Sequence, residues 1–253
     1  MYNEKLRYFT KNFYHINIAM RRKGFSAERK INMSINIAID GPAGAGKSSV
    51  SKAVAGDLGF IYIDTGALYR TVALNAITSG ISTNDSEKVS DSIKDADISI
   101  KYIDNTQRIF LNGEDVSDKI RTEEVSIGAS NVAKIPEVRE ALVDLQRSLA
   151  KSKNAIMDGR DIGTAILPNA DLKIFLTAGA DARAKRRYDE YIKKGQQADF
   201  EKIKKDIIMR DEQDMNRKTA PLRKAEDAVL IDSSNMSFDE VVECIKNKIK
   251  KIL

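Results

Sequence analysis

Four segments of this 253-residue chain combine residue types that can do chemistry on phosphate. The first is Gly41-Pro42-Ala43-Gly44-Ala45-Gly46-Lys47-Ser48, of the form GxxxxGK[ST], with Ser49 following. Glycines 41, 44 and 46 let the backbone curl its N–H groups around phosphate oxygens, and the start of the next helix adds partial positive charge. Lys47 is placed to reach the β- and γ-phosphates of a nucleoside triphosphate, and the Ser48 hydroxyl to ligate Mg²⁺. DTGALYR (64–70), DGRD (158–161) and RDEQDMNR (210–217) each add arginine beside a carboxylate. Arginine's planar fork binds phosphate oxygens in a bidentate way that lysine does not copy. The only histidine, His15, lies far from all four segments, which excludes histidine acid–base, triad or metal chemistry from the body of the chain. One cysteine, Cys244, excludes a disulfide framework and a multi-thiolate metal site.

The elements that must hold these groups follow from hydrophobic period. Apolar runs at 35–39, 60–63, 155–158, 171–176 and 228–231 read as buried strands, with helical patterns between them. That alternation predicts an α/β fold of P-loop NTPase type, a parallel five-stranded sheet with helices on both faces. In such sheets ligands sit at the carboxyl ends of the strands, so DGPAGAGKS, DTGALYR and DGRD should meet in one cleft. DISIKYID and QRIFLNGEDV alternate apolar and polar residues, with turns at Asn105 and Asn112-Gly113, and read as a small inserted antiparallel sheet. Helices are expected at 67–79, 86–96, 122–134, 136–152 and within 180–217. A capping box, Ser237 to Glu240, opens the last one, with Val241, Val242, Ile245, Ile249 and Ile252 on its apolar face.

The net charge of +5 is concentrated in the leader. Residues 1–33 carry eight basic and two acidic residues, so 34–253 sum to −1. Basicity is therefore no sign of nucleic-acid binding by the main domain. The leader reads as a disordered or spurious extension with Met33 the working start, as a basic segment touching RNA or membrane surface, or as a targeting presequence. No apolar run approaches the ~20 residues of a membrane span, and the cytoplasm is the expected compartment.

Taken together, TGALYR, SNVA, VRE, DGRD and RDxxDxxR beside the phosphate loop resemble the bacterial-type cytidylate kinases, of the nucleoside monophosphate kinase group. The resemblance covers essentially all of 34–253. It implies a core carrying a monophosphate-binding insertion at about 92–130 and a short lid within about 181–217. The implied reaction is γ-phosphoryl transfer from ATP to CMP or dCMP with Mg²⁺; a monomer is the default expectation, which the sequence itself does not decide. The acceptor is then a phosphate oxygen, already anionic, so no strong general base is required.

By the same resemblance, ATP contacts run from Gly41 to Ser49, and Lys47, Arg160 and Arg217 act in the transfer. Thr65, Arg70, Arg160 and Arg217 contact the acceptor's phosphate, and Arg210 and Asp214 its ribose. Arg210 and Asp214 also stand four apart, the spacing of a helix-surface ion pair. Ser130, Arg139 and Asp161 match the base-contacting positions: Asp161 accepts from the cytosine amino group, and Arg139 donates to N3 or O2. Uracil reverses that pattern. Asp158 is the candidate, with Ser48, for orienting Mg²⁺. Arg183, Arg186 and Arg187 are candidates for clamping ATP phosphates from the lid. The rivals are a kinase of uridylate or adenylate type and a P-loop switch protein, although the chain lacks an NKxD guanine-reading motif.

Overall fold

The computed structural model describes residues 34–103 and 106–253. The leader 1–33 and the turn expected at Asn105 lie outside the described residues. Strand β1 (Asn36–Asp40) buries Ile37, Ala38 and Ile39 completely, as a strand covered on both faces must. Gly46, left-handed at φ 87°, turns the chain into α1 (Lys47–Leu58). β2 (Ile61–Asp64) runs straight into α2 (Thr65–Thr78), where the Asp64 carboxylate caps the first turn by accepting from the Ala67 N–H at 2.9 Å. After α3 (Ser86–Lys94) come β3 (Ile98–Ile103), β4 (Thr106–Leu111) and β5 (Glu114–Asp115), the expected small antiparallel sheet. Asn112 and Gly113, at φ 50° and 84°, form its tight turn.

Helices α4 (Glu123–Val132) and α5 (Pro136–Ser152) precede β6 (Ala155–Gly159), a π-helical turn at Ile162–Ile166, and β7 (Leu172–Thr177). The charged stretch divides into α6 (Ala180–Lys193) and α7 (Phe200–Asn216), parted where Gly195 turns at φ 71°. β8 (Val229–Asp232) and α8 (Phe238–Ile249) follow, with the Ser237–Glu240 capping box formed. Ile252, expected on the apolar face of α8, is instead 39% exposed, because the helix ends at Ile249 and the helical period no longer carries it to the core.

The main sheet is parallel in the order β2-β6-β1-β7-β8. Every strand ends one residue later than its apolar run, at Asp40, Asp64, Gly159, Thr177 and Asp232, so polar groups gather at one edge of the layer. On one face α1 and α8 pack through Val50, Val54, Val241, Ile245 and Ile249. The opposite face packs Ala38, Ile63 and Met157 against Ile162, Ile166 and Ala150 of α5. A second core joins α2, α4, α5 and the small sheet through Leu68, Val72, Ile100, Ile109 and Val138. The small sheet also grips β2 with side chains. The Gln107 carboxamide accepts from Asp64 N–H at 2.9 Å and donates to Asp64 O at 3.3 Å. The Tyr102 hydroxyl donates to Tyr62 O at 2.9 Å.

Candidate functional site

The strand-end clusters open onto one cleft of about 1900 Å³, lined from Ala43 to Ser49, by Asp64, Thr65 and Arg70, by Asp158 to Asp161, and by α6 and α7. Pockets for one small ligand span roughly 300–1,000 Å³, so this cleft has room for two nucleotides.

On its first side the phosphate loop is shaped by close approach. A Cβ on Gly41, at φ 149°, would lie 1.9 Å from the Leu176 carbonyl oxygen of β7, so only glycine fits there. Lys47 is buried and donates to the loop's own Pro42 O at 2.8 Å. Burial, and then the charge of Arg160, pulls its pKa down to about 7. The Ser48 hydroxyl donates to Asp158 Oδ2 at 2.7 Å, and the Tyr62 hydroxyl to Asp158 Oδ1 at 3.1 Å. Burial, and then the nearby Asp64 carboxylate, pushes Asp158 up to about 6. Among the described residues no cluster of three or more carboxylate, histidine or cysteine groups could hold a metal ion. One hydroxyl and one carboxylate suit Mg²⁺, a hard ion that keeps phosphates and waters for its remaining positions.

Across the cleft stand guanidinium groups. Arg70 pairs with Asp64 at 2.8 Å, while its buried Nε has no partner. Arg160 Nε donates to Asp214 Oδ2 at 2.8 Å. Burial works against the Asp214 carboxylate, but Arg160, Arg210 and Arg217 outweigh it and hold its pKa below the ordinary value. Arg210, mostly buried with its Nε also unpartnered, is pulled down to about 10 by burial and by repulsion from Arg160, Arg187 and Arg70. Two unmet Nε donors among four mutually repelling cations mark a site for an anion. The surface pair suggested by the Arg210–Asp214 spacing is not what forms, because Asp214 turns inward to Arg160.

Next to this cluster lies a second group. Asp161 is buried between Arg139, bonded to its Oδ2, and Arg217, at 3.2 Å from its Oδ1. Arg139 also stacks 5.7 Å over the Tyr69 ring and donates to Ala133 O. Arg217 donates to Ala220 O at 2.6 Å, from a turn where Ala220 takes φ 46°. Arg217, expected at the acceptor's phosphate, thus also pairs with Asp161 of the base-contacting group. Ser130 lines the cleft as expected. The Thr65 hydroxyl lies at the cleft too, donating to Asp158 O at 2.7 Å.

The lid arginines divide. Arg183 is buried, donating to Ala178 O at 2.8 Å, to Ala43 O of the phosphate loop at 2.9 Å, and as a fork to Asp211. Through these donors it braces the loop against α7. Arg186 reaches Ser233 after β8. Arg187 stacks on Tyr191 and faces the cleft.

Sequence reasoning missed Tyr62, Asp40 and Asp211. Tyr62 shares a strand face with Asp64, two residues on, and that parity was the available signal. A carboxylate closing the apolar run of β1 was the signal for Asp40.

A parallel sheet whose first strand feeds a phosphate loop, facing an arginine cluster at the ends of its neighbours, defines a P-loop phosphotransferase. The family described as cytidylate kinase matches residues 37–251. A cytidylate kinase of Caldicellulosiruptor bescii is 54% identical over 219 residues, covering 87% of this chain and 97% of that protein. Those of Caldicellulosiruptor saccharolyticus and an Exiguobacterium species are 52% and 47% identical, over 87% of this chain and 97% and 98% of theirs. The chain belongs to the cytidylate kinase family. It is an ATP-dependent kinase.

Proposed function

We propose that this protein transfers the γ-phosphoryl group of ATP to the phosphate of CMP or dCMP, acting as a monomer in the cytoplasm. The observation that carries the reading is the pairing of a phosphate loop with the Arg70–Arg160–Arg210 cluster and, beside it, the buried Arg139–Asp161–Arg217 group.

ATP lies along the loop from Gly41 to Ser49, its phosphates held by inward N–H groups and by Lys47, which leaves Pro42 O for the phosphate oxygens. Ser48 would ligate Mg²⁺ and Asp158 would orient it through water, and the ion when bound would neutralise phosphate charge. The acceptor's phosphate meets Arg70, Arg160 and Arg217, and the unpartnered Nε donors of Arg70 and of neighbouring Arg210 find acceptors on the bound nucleotide. Thr65 fixes the turn beneath it. Arg210 and Asp214 face the ribose. Transfer needs no base, only in-line alignment and charge neutralisation, which these cations supply in a partly dry cleft.

Cytosine is read at Asp161. A carboxylate offers about four lone-pair sites, so its bonds to Arg139 and Arg217 leave capacity for the cytosine amino group. Arg139, with Ser130 beside it, donates to the ring's acceptors. Uracil presents a carbonyl where that amino group would be, oxygen against carboxylate. The test is ADP release with CMP, dCMP, UMP and AMP supplied in turn. CMP and dCMP should be turned over fastest; faster turnover of UMP or AMP refutes the base assignment. Size-exclusion at assay concentration checks the monomer.

A further inference from the structure

Asp40 ends β1 directly before the phosphate loop, so its place in the chain assigns it to the ATP side. Its side chain works elsewhere. Only 4% exposed, it accepts from Ile162 N–H at 2.8 Å through Oδ1 and from Gly163 N–H at 2.7 Å through Oδ2. These N–H groups open the π-helical turn Ile162–Ile166, where free donors require a cap. The residue at the cap position is Asp161, a type that ordinarily caps with its own carboxylate. It makes no such bond, because its oxygens go to Arg139 and Arg217. The cap comes instead from Asp40, across the sheet. Gly163 keeps the surroundings of this contact open: a Cβ there would crowd Lys173 Cδ at 3.1 Å and touch Asp40 Oδ2 at 3.4 Å.

We propose that Asp40 is a positioning residue for acceptor specificity. By capping the turn in place of Asp161, it releases that carboxylate from the local backbone and sets where it meets the base. The inference rests on the reading of Asp161 as the base-contacting group.

The experiment measures kcat and KM for CMP, UMP and ATP in the parent, Asp40→Asn, Gly163→Ala and Asp161→Asn. Asparagine at 40 keeps the shape but sets an NH₂ against an N–H, donor facing donor. Gly163→Ala crowds Lys173 and sets a methyl group against Asp40 Oδ2, disturbing the same contact without changing the chemistry of the Asp40 carboxylate or the phosphate loop. Each should lower the preference for CMP over UMP about tenfold, through KM for CMP, the size expected when one buried donor is left unmet. KM for ATP in Gly163→Ala should stay within about twofold, the scatter of a site with no shared partner. If Asp161→Asn abolishes the preference while either Asp40→Asn or Gly163→Ala keeps it, the proposal is overturned and the base assignment stands. If Asp161→Asn keeps the preference, the base assignment fails and the proposal with it. An equal rise of KM for ATP and CMP in Gly163→Ala would show general support of the fold and would also overturn it. Should Asp40→Asn not fold, Gly163→Ala decides alone.

Discussion

The two sides of the cleft are built on different principles. The phosphate loop grips with main-chain N–H groups and one lysine, and its shape is set by glycines within a few residues of one another. The acceptor side is built of long side chains from α2, α5, β6 and α7, held in register by carboxylates: Asp64 for Arg70, Asp214 for Arg160, Asp161 for Arg139 and Arg217. A backbone cradle recognises phosphate and is indifferent to what the phosphate is attached to. A lattice of charged side chains can be aimed at a base. General grip and discrimination are thus assigned to opposite walls.

The sharpest test of that division is Lys47→Ala, which should lower kcat by about 10²–10³ for CMP and dCMP alike, the cost of removing one preorganised charge from a transferring group. Near-normal turnover, or a loss confined to one acceptor, would break the division. Next in size is the brace between the walls. Asp211→Ala leaves Arg183 buried beneath the phosphate loop without its carboxylate and should cost about 3–5 kcal/mol, read as a fall in denaturant midpoint. The preference for CMP over UMP in that variant should be unchanged.

The pH profile separates the walls again. In the free protein Asp158 must lose a proton near pH 6 and Lys47 must keep one up to about 7, so kcat/KM for ATP should fall below the first value and above the second. Bound triphosphate favours the charged lysine, which should move the alkaline limb of kcat to higher pH than that of kcat/KM. Coincident alkaline limbs would show that Lys47 does not meet the phosphates. The smallest effect is expected at Thr65. Removing its hydroxyl in Thr65→Ala should cost about 1 kcal/mol in thermal unfolding, and Thr65→Ser should restore it.

The same division explains what could be read from the chain beforehand. A backbone cradle needs glycines close together in the chain, so the loop, its strand and its helix are all legible in GPAGAGKS. The five-stranded layer is equally plain from its apolar runs. The acceptor wall depends on who meets whom in space. Spacing along α7 allows Arg210 to pair with Asp214, but it is silent about Arg160 arriving from β6 at 2.8 Å. Likewise Arg183 carries the charge of a phosphate clamp, and only the fold brings the Ala43 carbonyl and Asp211 within its reach. Arg217 has the charge for a phosphate, and only the fold shows that it also meets Ala220 O and Asp161.

The Gln107 carboxamide, closed on both main-chain groups of Asp64, has an effect on the protein's behaviour in company. β2 is the outermost strand on its side of the sheet, and strands so placed recruit strands from other molecules. Gln107 occupies the N–H and C=O of Asp64 and Tyr102 the C=O of Tyr62, so a strand approaching that rim finds these three groups already taken. With residues 34–253 carrying a net charge of only −1, electrostatic repulsion does little to keep copies apart. One amide and one phenol stand where a sixth strand would, and protect this side of the molecule from strand-by-strand aggregation.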